Sequence, residues 1–285
     1  MREGLSFNFY MRRPHVELAQ GVLRSLESYL DSVGPQALGW YATDEGEYRP
    51  LDAAGWQLTR DKVLRRRGAL IRLRDASLTD CGYRFLYHGR PLVDLSGEPS
   101  PDVVCVARFW LPTEFLEEHG AARVRALALA LAAPLPFCSG HAGLSFNGDL
   151  DLPGVKREVH QQSLRYPGMD LPEEGSIGLR LGTRLWGVHW LTFLGQPVLG
   201  ALGGAAGLRA RLHEPGTTVQ ELSEDRAVVT LGPGPEAGDT EQGQTLPAFR
   251  ELARVLEPWL YHEEKIFDPD LLPDEKLRWE RRFLD

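Results

Sequence analysis

Trp186-Gly187-Val188-His189-Trp190-Leu191-Thr192-Phe193-Leu194 is the stretch whose reading decides the fold. Only His189 and Thr192 carry polar side chains, and two Trp and one Phe fall within nine residues. An extended chain alternates its faces, so Trp186, Val188, Trp190 and Thr192 share one side. Gly187, His189, Leu191 and Phe193 share the other. Both sides are mostly apolar, which predicts a strand buried on both faces. Gly195 and then Gln196-Pro197 end it.

A strand covered on both faces needs neighbours, and the flanking sequence supplies them. Downstream, residues 198–202 and 205–212 suit short helices around Gly203-Gly204. Residues 217–222 and 227–231 suit a hairpin turning at Ser223-Glu224-Asp225-Arg226. Residues 247–258 place Phe249, Leu252, Ala253 and Leu256 at helical spacing. Upstream, residues 155–166 form an amphipathic helix closed by Pro167-Gly168. Before it lies a strand over 103–110, a helix opening at Pro112 and running to about 132, and a returning strand over 137–146.

The first forty residues repeat that strand–helix–strand order: a strand over 5–11, Pro14 at a helix start, and apolar positions at helical spacing to Val33. The predicted fold is therefore α+β: two related strand–helix–strand halves around a mostly antiparallel sheet, with the buried aromatic strand near 186–194 at its centre. Residues 1–102 form an N-terminal half with an inserted loop and hairpin, 103–260 a C-terminal half, and 261–285 a charged tail. The tail has 8 acidic and 5 basic side chains. Ile266, Phe267, Leu271, Leu272, Leu277, Trp279, Phe283 and Leu284 could dock it.

With 285 residues, 42% hydrophobic and 25% charged, the chain can build a sizeable core unaided. Cys81, Cys105 and Cys138 cannot all pair and show no CxxC spacing, so they read as buried thiols in a reducing compartment. Met1-Arg2-Glu3-Gly4 leads into a strand pattern rather than an apolar signal core, and no apolar run is long enough to span a bilayer. A cytoplasmic location with no membrane association is expected. The net charge of −8 is uneven. Residues 1–110 hold 15 Lys and Arg against 14 Asp and Glu, whereas residues 211–285 hold 9 against 17. An acidic C-terminal quarter steers basic partners and repels nucleic acid.

The search for catalytic chemistry finds little. There is no GxSxG, no P-loop and no GxGxxG. Cys138 and His141 stand three apart in a strand and point to opposite faces, which argues against a thiolate–imidazole pair. The eight His form no HxH, HxxxH or HExxH, and His189 reads as a neutral core imidazole with hydrogen-bonded nitrogens. Asn147, Asp149 and Asp151 share the spacing that opens an EF-hand loop, but Leu152 stands where its Gly is needed. No catalytic residue, metal site or cofactor is expected. Arg65-Arg66-Arg67 could grip phosphate or an acidic partner, or could be a solvated helix end that complements the macrodipole. The loop Gly232-Pro233-Gly234-Pro235-Glu236-Ala237-Gly238-Asp239 is too Pro-rich to cradle phosphate.

An ordered set of motifs carries a resemblance. Arg108-Phe109-Trp110-Leu111-Pro112 leads into the long helix. His141-Ala142-Gly143-Leu144-Ser145-Phe146-Asn147, Arg165-Tyr166-Pro167-Gly168-Met169-Asp170 and the stretch from Leu185 to Leu194 follow. Gly203-Gly204, Gly232-Pro233-Gly234-Pro235, Gly238-Asp239 and Leu246-Pro247-Ala248-Phe249-Arg250 close the series. In this order and spacing the chain resembles the type VI immunity proteins for VRR-Nuc nuclease toxins, most closely over residues 100–260.

The resemblance implies a cytoplasmic antitoxin that binds a contact-delivered toxin, a nuclease encoded next door, and blocks its active site without catalysis. The acidic quarter fits a nuclease's basic surface. Glu221, Glu224, Asp225, Asp239 and Glu241, in loops between strong elements, are the expected partner-binding residues. Two other readings are a structural or scaffold component of the secretion system, and an enzyme of unrecognised type that uses His141 or His189 with a nearby carboxylate.

Overall fold

A computed structural model describes residues 2–77, 82–147, 154–171, 177–262 and 273–285. Cys81, Asp149, Asp151 and the tail residues 263–272 lie outside the described residues. The chain divides into two compact units. One comprises Phe7–Cys138 and Glu174–Thr183 (the N-terminal unit); the other comprises Met1–Ser6, Ser139–Glu173 and Arg184–Asp285 (the C-terminal unit). The described residues form eight α-helices and ten strands, and the fold is α+β.

The N-terminal unit holds most of β1 (Arg2–Met11), then α1 (His15–Val33), β2 (Trp40–Ala42), β3 (Tyr48–Pro50), α2 (Ala53–Val63), β4 (Ala69–Arg74), β5 (Arg84–Gly89), β6 (Cys105–Pro112) and α3 (Thr113–Ala132). Its strands lie in the order β3-β2-β4-β5-β6-β1. Those from β3 to β6 pair antiparallel. Both expected strand-to-helix passages are present, with Pro14 and Pro112 as the N-caps of α1 and α3. The two helices cross closely: Ser25 Oγ donates to Leu131 O at 2.8 Å. At Gly21 a Cβ would stand 2.5 Å from Pro134 O, so only glycine permits the approach. Tyr29 of α1 packs at a tilt against Phe109 of β6 and donates its hydroxyl to Trp110 O, which sets α1 on the Phe85–Phe109 face of the sheet. The helix expected from Pro112 to 132 is interrupted at Gly120, whose φ is 75°.

The C-terminal unit holds β7 (Ser139–Asn147), α4 (Val155–Arg165), β8 (Leu191–Leu194), α5 (Val198–Ala201), α6 (Gly204–Arg209), β9 (Thr217–Ser223), β10 (Arg226–Leu231), α7 (Pro247–Leu256) and α8 (Pro273–Glu280). Here the order is β1-β7-β8-β10-β9, so β8 is central, as expected. It is shorter than expected, however, and only Leu191–Leu194 enters the ladder. Leu185 is bridged to Leu260 instead, with Leu185 N donating to Trp259 O and Tyr261 N to Leu185 O. Thr192 Oγ1 bonds both the N–H and the C=O of His189, a local turn that halts the strand. The burial expectation holds: Val188, His189, Trp190 and all of β8 are at most 2% exposed. At the C-terminal end, Trp279 of α8 packs into a cluster of Phe146, Val159, Met169 and Leu171.

Candidate functional site

The aromatic stretch delivers His189 to a buried carboxylate. Met169-Asp170-Leu171 follows α4 and lies beside β7: Asp170 N donates to Leu144 O at 2.7 Å and Phe146 N to Asp170 O at 3.1 Å. The Asp170 side chain then accepts from four donors. Ser6 Oγ and His141 Nε2 reach Oδ2 at 2.9 and 3.0 Å. His189 Nε2 and Trp186 Nε1 reach Oδ1 at 3.1 and 3.3 Å. Those four bonds fill the acceptor capacity of a carboxylate. The two imidazoles stack, with centroids 4.0 Å apart.

Electrostatics assigns the protonation. Burial works to raise the Asp170 pKa, but its coupling and hydrogen bonds to His141 and His189 override it and hold it well below the usual carboxylate value. Burial pushes His189 down to about 4, with His141 adding to the effect, so its ring is neutral at physiological pH. A neutral ring that donates through Nε2 leaves Nδ1 as an acceptor. Among the described residues that buried atom has no hydrogen-bond partner, so one ring nitrogen is bonded where two were expected. Arg282 adds a half-buried cation, its pKa lowered to about 10 chiefly by desolvation. It donates to Pro167 O at 2.7 Å and lies 3.9 Å from the Trp279 ring centroid.

His141, Asp170 and His189 place their ligand atoms within 4.8 Å of one another, a donor set with the chemistry to hold a divalent cation. As arranged, each Nε2–H points at its own carboxylate oxygen. A metal would have to displace both protons and the bonds from Ser6 and Trp186. Access is closed as well. Exposures of 2, 3 and 0% for His141, Asp170 and His189 leave no path for a substrate to the imidazoles. The arrangement is a structural hub tying β1, β7 and the approach to β8. The thiols are equally sheltered: Cys105 and Cys138 are buried, and burial raises the Cys105 pKa.

The expected partner-binding residues fall in two places. Glu221 is exposed on β9, opposite Ala227, and Glu224 and Asp225 are exposed in the β9–β10 turn. Asp225 accepts from Ser223 Oγ at 2.7 Å. Asp239 and Glu241 are brought together by Arg165. Arg165 donates Nε to Asp239 Oδ1 at 3.1 Å and Nη2 to Oδ2 at 2.7 Å, while Nη1 reaches Glu241 Oε2 at 2.7 Å.

Asp239 is buried and occupied. Its oxygens also accept from the Glu241 amide and Gln242 Nε2, and its own amide donates to Gln244 Oε1. Glu241 keeps an exposed carboxylate. This lattice fixes one wall of an open cleft of about 610 Å³ lined by Tyr166, Glu236, Gln242 and residues 237–239 and 244–247. Leu246 in that wall takes φ 49°, a left-handed conformation that a branched side chain adopts only under constraint. Arg165, Asp170 and Arg282 escaped the sequence reading as polar centres. The available signal was a lone Asp between Met169 and Leu171.

The ordered motifs thus converge. His141, Asp170, Trp186 and His189 belong to three of them and meet at one carboxylate. Arg165, from the same motif as Asp170, joins one more through Asp239. The family model described as TsiV, "Type VI immunity for VRR-NUC", matches residues 21–283. The chain belongs to the TsiV family. Among solved structures, a TsiV-like fold is shared with the Pseudomonas aeruginosa T6SS protein PA0821, at 19% identity and a TM-score of 0.77. That match covers 99% of this chain and 84% of the other. No curated protein matches. The TsiV assignment makes this a type VI immunity protein, and no helix among the described residues is long and apolar enough to cross a membrane.

Proposed function

We propose that this protein binds a VRR-Nuc nuclease toxin stoichiometrically in the cytoplasm and occludes its substrate surface, without catalysis of its own. The family match over residues 21–283 carries the reading. The sealed hub supports the non-catalytic part, because its acid–base groups have no substrate access.

The toxin-facing surface in this reading is the acidic edge of β9 with the acidic loops. A nuclease must attract phosphates, so its substrate surface is basic, and Glu221, Glu224, Asp225 and Glu241 present exposed carboxylates to such a surface. Asp239 contributes by holding the cleft wall in one conformation before binding, which lowers the ordering cost of association. Charge complementarity of this kind gives fast, salt-sensitive association.

Co-expression with the product of the adjacent gene tests the proposal. Cell survival together with co-purification of the two chains is expected. Death of cells that make both proteins, with no complex recovered, overturns it for that pair.

A further inference from the structure

The N-terminal unit carries a feature that the immunity reading does not use. Across β4, β5 and β6 the register aligns Arg72–Leu86–Arg108, Leu70–His88–Val106 and Arg74–Arg84–Trp110. Alternate residues share a face, so these cations lie opposite the core face of Ile71, Leu73, Phe85, Tyr87 and Phe109, each at most 3% exposed. His88 is set among Arg72, Arg90 and Arg108. Burial first, and then those three charges, hold its pKa down at about 4.

A cleft of about 250 Å³ opens where this face meets the end of α2, lined by Asp44, Lys62, Arg65, His88 and residues 68–70 and 89. Its charged side chains are two cations, Lys62 and Arg65, and the Asp44 carboxylate. Arg90 Nη2 bonds to His88 Nδ1. A guanidinium can only donate, so Nδ1 accepts and the neutral ring carries its proton on Nε2 as a further donor. Lys62 is 6% exposed, and its ammonium is ion-paired to Asp44 Oδ1 at 2.7 Å. Arg65 Nη1 is 3.5 Å from Asp44 Oδ2.

Asp44 is the one acid there, and its carboxylate occupies the pair of cations as an internal oxyanion. It sits in the β2–β3 turn and is 64% exposed, so it can swing away without unpacking the core. A ligand that replaces it must be an acceptor with more than one oxygen and at least one negative charge.

We propose that this cleft binds an oxyanion of the phosphate class, which takes the place of the Asp44 carboxylate on Lys62 and Arg65. The chemistry is shared by free phosphate and by the terminal phosphate of a nucleotide or oligonucleotide. The proposal stands apart from toxin binding and needs no partner protein.

The test is calorimetric titration of the purified full chain, at constant ionic strength in chloride, with three probes. These are inorganic phosphate, a short 5′-phosphorylated single-stranded oligonucleotide, and the same oligonucleotide without its phosphate. Saturable binding of a phosphate-bearing probe is expected. Arg65→Gln should weaken it at least tenfold, and Asp44→Asn should tighten it at least tenfold; both positions are more than half exposed and should leave the fold intact. Equal affinity for the first two probes makes free phosphate the source, and preference for the second alone makes it a nucleotide phosphate.

Absence of saturable binding overturns the proposal, as does binding that neither substitution changes. Binding of a polyglutamate peptide in the absence of phosphate binding would also overturn it, by assigning the cleft to a protein carboxylate.

Discussion

Asp170 places a negative charge inside the C-terminal unit, and four donors make that tolerable. Asp170→Asn removes the charge and turns one oxygen into an NH2 that faces an imidazole N–H. It also deprives half-buried Arg282 of a countercharge. Breaking a buried charge network by removing one member costs about 3–5 kcal/mol. Urea denaturation of the purified variant should show a loss of that size, with native-like circular dichroism below the transition. A loss under about 1 kcal/mol would mean the hub contributes no more than a surface pair. Little of this was legible in the sequence. His189 was read as a core imidazole, which its burial bears out, but its partners lie 19 and 48 residues away, and the alternation of a strand does not name them. Asp170 drew no reading of its own, because nothing local marks a carboxylate as buried.

At the scale of elements, the cleft wall depends on two close fits. At Gly168 a Cβ would stand 2.0 Å from the Glu236 carbonyl oxygen, and backbone cannot yield as a flexible side chain can. Gly168→Ala should therefore cost about 1–3 kcal/mol, the range for overpacking, measured by thermal or urea unfolding. Arg165→Gln releases the wall from its bidentate anchor while touching little of the core. The expected outcome is toxin affinity lowered about tenfold, as pre-organisation is lost, with the unfolding midpoint nearly unchanged; surface plasmon resonance beside calorimetry separates the two. Element existence was well read from periodicity, including the β9–β10 hairpin and α7. The length of β8 was not. Its approach is apolar throughout, as a strand would be, but the backbone of Leu185 is committed to Trp259 and Tyr261. That competition between distant segments leaves no trace in alternation.

Over the whole molecule, buried histidines set the response to acid. His15, His88, His189 and His262 all have pKa values lowered chiefly by burial, to about 4 for His88 and His189. The unfolded chain therefore binds more protons than the folded one between about pH 6.5 and 4, and stability falls as pH falls through that window. Glu280 opposes this. Burial raises its pKa from 4.5 to about 7, so its contribution falls as pH rises across the same range. Four groups outweigh one, and urea midpoints should drop between about pH 7 and about pH 5. His189→Gln should flatten that slope, and Glu280→Gln should steepen it.

The acidic C-terminal quarter, legible from charge counts alone, makes a separate prediction. The toxin complex should weaken as salt rises, mainly through a slower association rate, and Glu224→Lys with Asp225→Lys should reduce that dependence. Family membership was legible because its motifs build the hub and the cleft wall. Those residues are engaged in holding the fold, so they mark the architecture.

The central claim is stoichiometric blockade, and titration of the cognate toxin's nuclease activity tests it most directly. With toxin held well above the dissociation constant, residual DNA cleavage should fall linearly and reach zero at one equivalent of this protein. It should return when the complex is dissociated by high salt. Inhibition complete at a small fraction of an equivalent would reveal turnover, and full cleavage at excess would show no blockade; either result contradicts the account.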